Sequence, residues 1–166
     1  MISFKEDNRK FNYRVGAIII SENKKKVLLH TIKGYGFYLL PGGRVEWMEF
    51  CNDSLIRELE EELGLKNVQL RERLFLEDLF IFKDVEFQEI SNNFVVELTK
   101  EHKFWEEKEE FTGVEGEKYI YKWVNIDEID NYVIKPALLK ETIKNYKNNY
   151  EYIKLEERKW KQQAFL

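Results

Sequence analysis

The stretch from Gly43 to Leu65, GRVEWMEFCNDSLIRELEEELGL, contains the residues that decide the fold. Its second half has the spacing of an amphipathic helix, with one apolar face formed by Leu55, Ile56, Leu59 and Leu63. Gly64 follows this face, at the position where a helix commonly ends in a left-handed residue. The apolar face is preceded by three residues of types whose side chains cap helices: Asn52, Asp53 and Ser54. We therefore predict a helix that begins at one of these three and ends at Gly64.

The predicted helix is crowded with negative charge, because four glutamates fall within the eight residues from Arg57 to Gly64. With about 100° between successive residues, Glu58, Glu61 and Glu62 lie together beside the apolar face. Glutamates three or four positions apart repel each other by roughly 0.2–0.5 kcal/mol per pair in water. A divalent cation reverses the sign of this energy, and Mg²⁺ prefers such hard oxygen ligands. The alternative is a solvated, glutamate-rich face, so the metal interpretation needs support from other residues.

That support comes from the residues before the helix. Gly42 and Gly43 allow the backbone to approach a ligand closely. Glu49 follows Gly43 by six positions, and Arg57 follows Glu49 by eight. An ion pair between Glu49 and Arg57 would fix this loop against the helix, which is the kind of orientation that a metal site requires.

In this pattern the stretch resembles the Nudix box, which is Gly, five residues, Glu, seven residues, then Arg-Glu-apolar-any-Glu-Glu-any-Gly-apolar. Every specified position is filled, by Gly43, Glu49, Arg57, Glu58, Leu59, Glu61, Glu62, Gly64 and Leu65. The resemblance implies a single-domain α/β fold, the Nudix-type α/β/α sandwich with a mixed β-sheet. We expect the Nudix domain to span residues 1–150. We expect the charged C-terminal tail, residues 151–166, to be partly helical and packed on the same domain.

The resemblance also assigns roles. The implied metal ligands are the Gly42 carbonyl and the side chains of Glu58, Glu61 and Glu62. Glu49 and Arg57 complete the catalytic set by bracing the loop, with a water-mediated contact from Glu49 to a metal as a further option. The implied cofactor is Mg²⁺, for which Mn²⁺ can substitute. We favour one of the helix glutamates as the general base, but a later loop offers Glu101, Glu106, Glu107, Glu109, Glu110 and Glu115.

On either side of the box, the sequence predicts mainly strands. β-branched and alternating patterns indicate strands at 13–21, 26–32 and 118–126, and a hairpin formed by 68–82 and 85–98. Residues 99–117 are polar and are interpreted as a loop. A helix is predicted over 136–150, with Pro136 at its first position.

Composition narrows the class of protein. The net charge of −4 argues against a general binder of nucleic-acid backbones, so the only nucleic-acid partner left open is an RNA 5′ end. Cys51 is the one cysteine in the 166 residues, and no apolar signal region or membrane-spanning run is present. These features predict a cytoplasmic protein with no membrane partner. Family resemblance leaves a homodimer open.

Residues that contact substrate are harder to predict than the metal ligands. Candidates are Arg14 and Arg44 for phosphate, Tyr38, Phe80 and Phe82 for a base, and Glu89 as an additional acidic group. Tyr13 and Phe37 are further candidates for a base pocket. His30 and His102 have no metal-ligand spacing and are interpreted as structural or exposed.

The function implied by the resemblance is metal-dependent hydrolysis of a diphosphate bond in a nucleoside diphosphate linked to another group. Modified nucleoside triphosphates and nucleotide sugars are both open as small-molecule substrates. The alternatives are removal of pyrophosphate from an RNA 5′ end and a non-catalytic Nudix domain that senses a nucleotide.

Overall fold

Strands dominate the computed structural model, which describes residues 1–102 and 108–157. The strands are β1 (Ser3–Glu6), β2 (Arg9–Ile20), β3 (Lys26–Ile32), β4 (Gly42–Arg44), β5 (Arg71–Phe82), β6 (Val85–Glu97), β7 (Glu110–Gly113), β8 (Gly116–Asn125) and β9 (Glu151–Glu157). The helices are α1 (Cys51–Leu63), a 3₁₀ helix (Ile126–Asn131) and α2 (Leu139–Lys144).

These strands form one mixed sheet in the order β7-β8-β3-β2-β6-β5-β9, with β1 and β4 also paired to β2. The pairs β2–β6 and β5–β9 are parallel and the others antiparallel. Leu55, Leu59 and Leu63 of α1 pack on one face of the sheet, and Leu139 and Ile143 of α2 pack on the other. The predicted α/β/α sandwich with a mixed sheet is confirmed.

The central strand β2 changes partners along its length, and this opens a cleft. Its end pairs with β3 at Ile19 and Ile20, whereas its middle pairs with β4 from Arg14 to Gly16. Gly42 is required where β4 meets β2, because a Cβ atom there would lie 2.1 Å from the carbonyl oxygen of Val15. The loop that enters the box is thus pressed against the sheet beside the cleft.

The helix α1 agrees with its prediction at one end and differs at the other. Gly64 ends it with a φ of 64°, as predicted. The expected caps at Asn52, Asp53 and Ser54 are wrong, because the helix begins at Cys51 after Phe50, which makes no side-chain capping bond. The Ser54 amide already donates to the Phe50 carbonyl at 2.9 Å, so these three residues lie inside the first turn.

The C-terminal region differs from its sequence-based prediction more than α1 does. The helix predicted over 136–150 is limited to Leu139–Lys144. Asn145 caps its end, because its side-chain amide and its backbone amide both donate to the Glu141 carbonyl, at 2.9 and 3.0 Å. The tail that we expected to be partly helical is a strand over 151–157, which form β9 beside β5. Ile153 and Leu155 alternate with exposed residues and pack on the core under α2, a strand pattern rather than a helical one. Residues 158–166 lie outside the described residues.

The polar loop predicted over 99–117 contains β7 and the start of β8, whereas residues 103–107 lie outside the described part. The strands predicted at 26–32 and in the 68–98 hairpin are confirmed as β3, β5 and β6. Among the described residues, no helix is both long enough and apolar enough to cross a membrane.

Candidate functional site

Arg57, in the second turn of α1, contacts the loop that precedes this helix and contains Glu49, which we call the box loop. Its Nε donates to Oε1 of Glu49 at 3.0 Å and its Nη2 to Oε2 at 3.2 Å, so that the guanidinium holds both carboxylate oxygens. The same Nη2 reaches the carbonyl of Arg44 at 3.3 Å. Hydrogen bonding from Arg57 lowers the pKa of Glu49. The ion pair expected from the spacing is therefore present.

The remaining nitrogen of Arg57 contacts the predicted metal ligands. Nη1 donates to Oε1 of Glu58 at 2.9 Å and to Oε2 of Glu61 at 3.2 Å. Glu58 lies directly on the loop backbone, because a Cβ atom on Gly43 would lie 2.2 Å from its carboxyl carbon. Glycine at this position leaves the space that the Glu58 carboxylate fills.

Glu62 is the most enclosed of the three carboxylates, with 7% of its surface exposed. The Tyr121 hydroxyl donates to its Oε2 at 3.0 Å. Burial raises the pKa of Glu62 to about 7, and repulsion from Glu58 and Glu115 adds to the shift. Burial likewise raises the pKa of Glu58. Burial and mutual repulsion thus disfavour the ionised forms of Glu58 and Glu62, and a bound cation would favour them again.

The turn between β7 and β8 brings a further carboxylate to this group. The Val114 amide donates to the Glu62 carbonyl at 2.8 Å, and a Cβ atom on Gly113 would lie 2.4 Å from that oxygen. Glu115, the next residue, raises the pKa values of Glu58 and Glu62. Among the later glutamates that the sequence left open, packing therefore brings Glu115 to α1, while Glu106 and Glu107 lie outside the described residues.

The donor set fits a hard divalent cation, since it consists of carboxylate oxygens and the Gly42 carbonyl. The side chains are not arranged as a finished metal cluster, because Arg57 holds Glu58 and Glu61 while Tyr121 holds Glu62. Within residues 1–102 and 108–157, no three His, Cys, Asp or Glu side chains stand together as metal ligands do. Rotation of the glutamates away from Arg57 would free the oxygens that a cation needs.

A cavity of about 470 Å³ extends from these glutamates along the cleft. Glu58 and Glu62 line the part of the cavity beside α1, and we call the part lined by Phe37, Asp78, Phe80 and Phe82 its far end. The cavity is lined by five of the six predicted substrate contacts, which are Arg14, Arg44, Phe80, Phe82 and Glu89. Its volume is in the range of small-molecule sites.

Tyr38, the sixth predicted contact, is not among the residues that line this cavity. Phe37 lines the cavity. Because successive side chains of an extended segment alternate, Tyr38 turns away and packs its ring 5.7 Å from that of Tyr132. Tyr13 packs against the core under α1 and places its hydroxyl 2.6 Å from Sγ of Cys51.

Residues 10–147 match the model of one protein family, the NUDIX domain. The chain belongs to the Nudix family. This places Glu58, Glu61 and Glu62 within the Nudix box of a recognised domain, on a helix that the structure sets at the mouth of a cavity.

Several known proteins are similar to this Nudix chain in sequence or in fold. A curated Proteus vulgaris protein named 8-oxo-dGTP diphosphatase is 32% identical over 65 residues, which are 38% of this chain and 58% of the relative. The matched stretch thus covers less than two thirds of that relative's length. The mutator MutT protein of Bacillus halodurans shares the fold with a TM-score of 0.61 at 19% identity, over 89% of this chain and 90% of that one. The NUDIX domain of Shewanella oneidensis NrtR, solved with ADP ribose, has a TM-score of 0.62 at 14% identity, over 87% and 91%.

His30 and Asp78 are among the buried polar residues of the Nudix cavity that were not predicted as site residues. His30 is 2% exposed, stacks on Tyr119 with ring centroids 4.9 Å apart, and has a pKa lowered to about 3 by burial. Asp78 is 4% exposed and lines the far end. A sequence signal for Asp78 existed, because it occupies the same strand face as the buried Leu74 and Leu76, where an apolar residue is expected.

Proposed function

We propose that this Nudix chain is a metal-dependent pyrophosphohydrolase that cleaves the diphosphate bond of a nucleoside diphosphate linked to another group. The observation that carries the proposal is the group of three α1 glutamates beside a cavity large enough for a nucleotide, with Glu58 and Glu61 held by Arg57 and Glu62 held by Tyr121. Such crowding of carboxylates, of which Glu58 is half-buried and Glu62 buried, destabilises the protein unless a cation compensates it.

The proposed metal-binding residues are Gly42, through its carbonyl, and Glu58, Glu61 and Glu62. They would hold Mg²⁺ or Mn²⁺. A bound ion would offset the negative charge of the diphosphate and lower the pKa of a water molecule, so that a hydroxide nucleophile would be available near neutral pH. The Nudix family membership and the hard oxygen donors support this cofactor.

The protein's own groups have three tasks in this reaction. Arg57 and Glu49 keep the box loop in register with α1, and the Tyr121 hydroxyl orients Glu62. A carboxylate accepts the proton of the attacking water, and the described contacts favour a glutamate of α1 or Glu115.

The phosphate chain is proposed to lie along β2 and β4. Arg14 and Arg44 are directly paired in the register of these strands and both line the cavity. Two guanidinium groups there would bind the anionic oxygens that face away from the metal. The aromatic far end of the cavity then lies where the nucleoside would extend.

A nucleoside triphosphate is the substrate class that we favour. The support is the Proteus vulgaris relative, whose name gives 8-oxo-dGTP as substrate, although only 65 residues match. A nucleotide-sensing domain is the second candidate, and it is favoured by the similarity in fold to the NrtR domain that binds ADP ribose.

One panel tests both candidates. The purified chain is incubated with nucleoside triphosphates, nucleotide sugars, ADP ribose and 5′-triphosphorylated RNA, with Mg²⁺ or Mn²⁺, and products are separated by chromatography. The proposal expects release of pyrophosphate or of two monophosphates from one class, and none in the presence of excess chelator. Tight binding of ADP ribose without turnover of any compound would contradict the enzyme and support the sensor.

A further inference from the structure

Asp78 is a carboxyl group placed where the fold calls for an apolar side chain. It follows Leu74 and Leu76 on the inner face of β5, and both leucines belong to the core under α2. Only 4% of Asp78 is exposed, yet it lines the cavity. Its Oδ1 has no hydrogen-bond partner within the described residues. A buried polar atom without a partner costs roughly 1–3 kcal/mol, so a compensating use is expected.

The surroundings of Asp78 favour its neutral, protonated form. Glu89 stands directly opposite on β6, and Glu157 lies at the end of β9. Burial raises the pKa of Asp78 to about 8, with repulsion from Glu157 and Glu89 as the smaller causes. Lys135 is the charged residue that faces this region from the segment before α2, and it lines the same cavity. At pH 7, Asp78 therefore offers one O–H donor beside one carbonyl acceptor.

Flat aromatic surfaces surround this end of the cavity. Phe80 stacks on Phe87 across the two strands, with centroids 4.8 Å apart and an angle of 5°. Phe37 and Phe82 meet edge to face at 6.1 Å, and both line the cavity. Rings of this kind suit a planar heterocycle, which can stack on their faces.

We propose that Asp78 is the specificity residue that binds the nucleobase edge, donating one hydrogen bond and accepting another. The inference rests on the proposed function for the identity of the ligand, a nucleotide. Every nucleobase has a hydrogen-bonding edge with a donor next to an acceptor, and a neutral carboxyl group complements such a pair. An ionised carboxylate has acceptors only and would be repelled by the acceptor of the base.

The test measures binding and not turnover. Titration calorimetry without metal compares the four common nucleoside 5′-monophosphates with ribose 5-phosphate, which lacks the base. The wild-type chain is expected to bind at least one nucleotide about tenfold or more tightly than ribose 5-phosphate. Asp78→Asn keeps one donor and one acceptor and should retain this preference, whereas Asp78→Leu should abolish it. Glu77→Gln, on the opposite face of β5, is the control that should change nothing.

The pH dependence separates Asp78 from its neighbours. Above pH 8, nucleotide affinity of the wild type should fall up to tenfold per pH unit, and in Asp78→Asn this fall should be absent. A fall that persists in Asp78→Asn would assign it to Glu89, Glu157 or Lys135 and overturn the proposal. Retention of the base preference in Asp78→Leu, with native circular dichroism, would overturn it as well. Because no metal is present, these outcomes stand apart from those of the hydrolysis panel: base recognition without turnover would refute the enzyme alone.

Discussion

The guanidinium of Arg57 holds both oxygens of the Glu49 carboxylate, at 3.0 and 3.2 Å. These two parallel hydrogen bonds, a fork formed by one guanidinium, connect the loop that contains Glu49 to the helix that contains the proposed metal ligands. Lysine has the same charge but lacks the fork and cannot reproduce the paired bonds. The orientation of Glu58 and Glu61 should therefore depend on arginine at this position.

Arg57→Lys is expected to weaken Mn²⁺ binding by about 10–100-fold, as the loss of an orienting partner commonly does. The apolar face of α1 is untouched, so the unfolding temperature should change little. Calorimetric titration with Mn²⁺ measures the effect, with Arg9→Lys in an exposed pair with Glu86 as the matched control. Equal Mn²⁺ affinity in Arg57→Lys and the wild type would show that the fork has no part in metal binding.

Two neighbouring glutamates of α1 provide the sharpest test of the metal ligands. Glu61→Gln removes a proposed ligand and should lower turnover by roughly 10²-fold or more. Glu60 faces away and pairs with Lys66 at 3.4 Å, so Glu60→Gln should remain active. Without metal, Glu61→Gln should be as stable as the wild type or slightly more stable, because it relieves repulsion among the three glutamates. Equal loss in both variants would point to a general effect of helix charge.

Three glycines should respond differently to alanine. In Gly43→Ala the new Cβ would lie 2.2 to 2.5 Å from the Glu58 carboxyl atoms, which can swing away, so activity should fall while the fold survives. In Gly42→Ala it would lie 2.1 Å from the Val15 backbone, so stability should fall by roughly 2 kcal/mol or more. Gly36→Ala meets nothing within 4 Å and serves as the control. Turnover and urea denaturation of the three variants separate the two effects.

The sequence predicted the box well because its constraints are local. Glu49 and Arg57 must pair if the loop is to rest on the helix, and Gly64 must be left-handed for α1 to end. The residues that the sequence could not single out depend on contacts between distant parts of the chain. Glu115 reaches α1 because the Val114 amide binds the Glu62 carbonyl, and no local pattern distinguishes it from the other glutamates of its loop.

Residues at the far end of the cavity are likewise hard to predict from local sequence patterns. Asp78 faces inward together with Leu74 and Leu76, which the strand period allows one to anticipate, but its enclosure depends on β6 and β9. The sequence from 151 onward was interpreted as a partly helical tail because its charges are frequent and its apolar residues few. Pairing with the open edge of β5 overrides that weak local preference.

Substitutions at neighbouring inward and outward positions can test whether β9 is an edge strand. Leu155 packs on the core under α2, whereas Lys154 is exposed. Leu155→Asp should therefore lower the free energy of unfolding by roughly 1–3 kcal/mol, while Lys154→Asp should change it by less than about 0.5 kcal/mol. Chemical denaturation followed by fluorescence measures both. Similar small effects at the two positions would mean that residues 151–157 do not form a strand on the sheet.

Asp78 should also leave a signature in stability. Its folded-state pKa of about 8 lies above the ordinary value of 3.8, so the folded protein holds this proton more tightly than the unfolded chain. The stabilisation is therefore complete below pH 4 and is lost as pH rises to 8. At about 1.4 kcal/mol per pKa unit, the loss is roughly 3–5 kcal/mol. Asp78→Asn does not titrate, so its stability relative to the wild type should increase between pH 4 and pH 8. Urea denaturation at pH 4, 6 and 8 gives this difference, and a constant gap across the three would mean that Asp78 ionises normally in the folded protein.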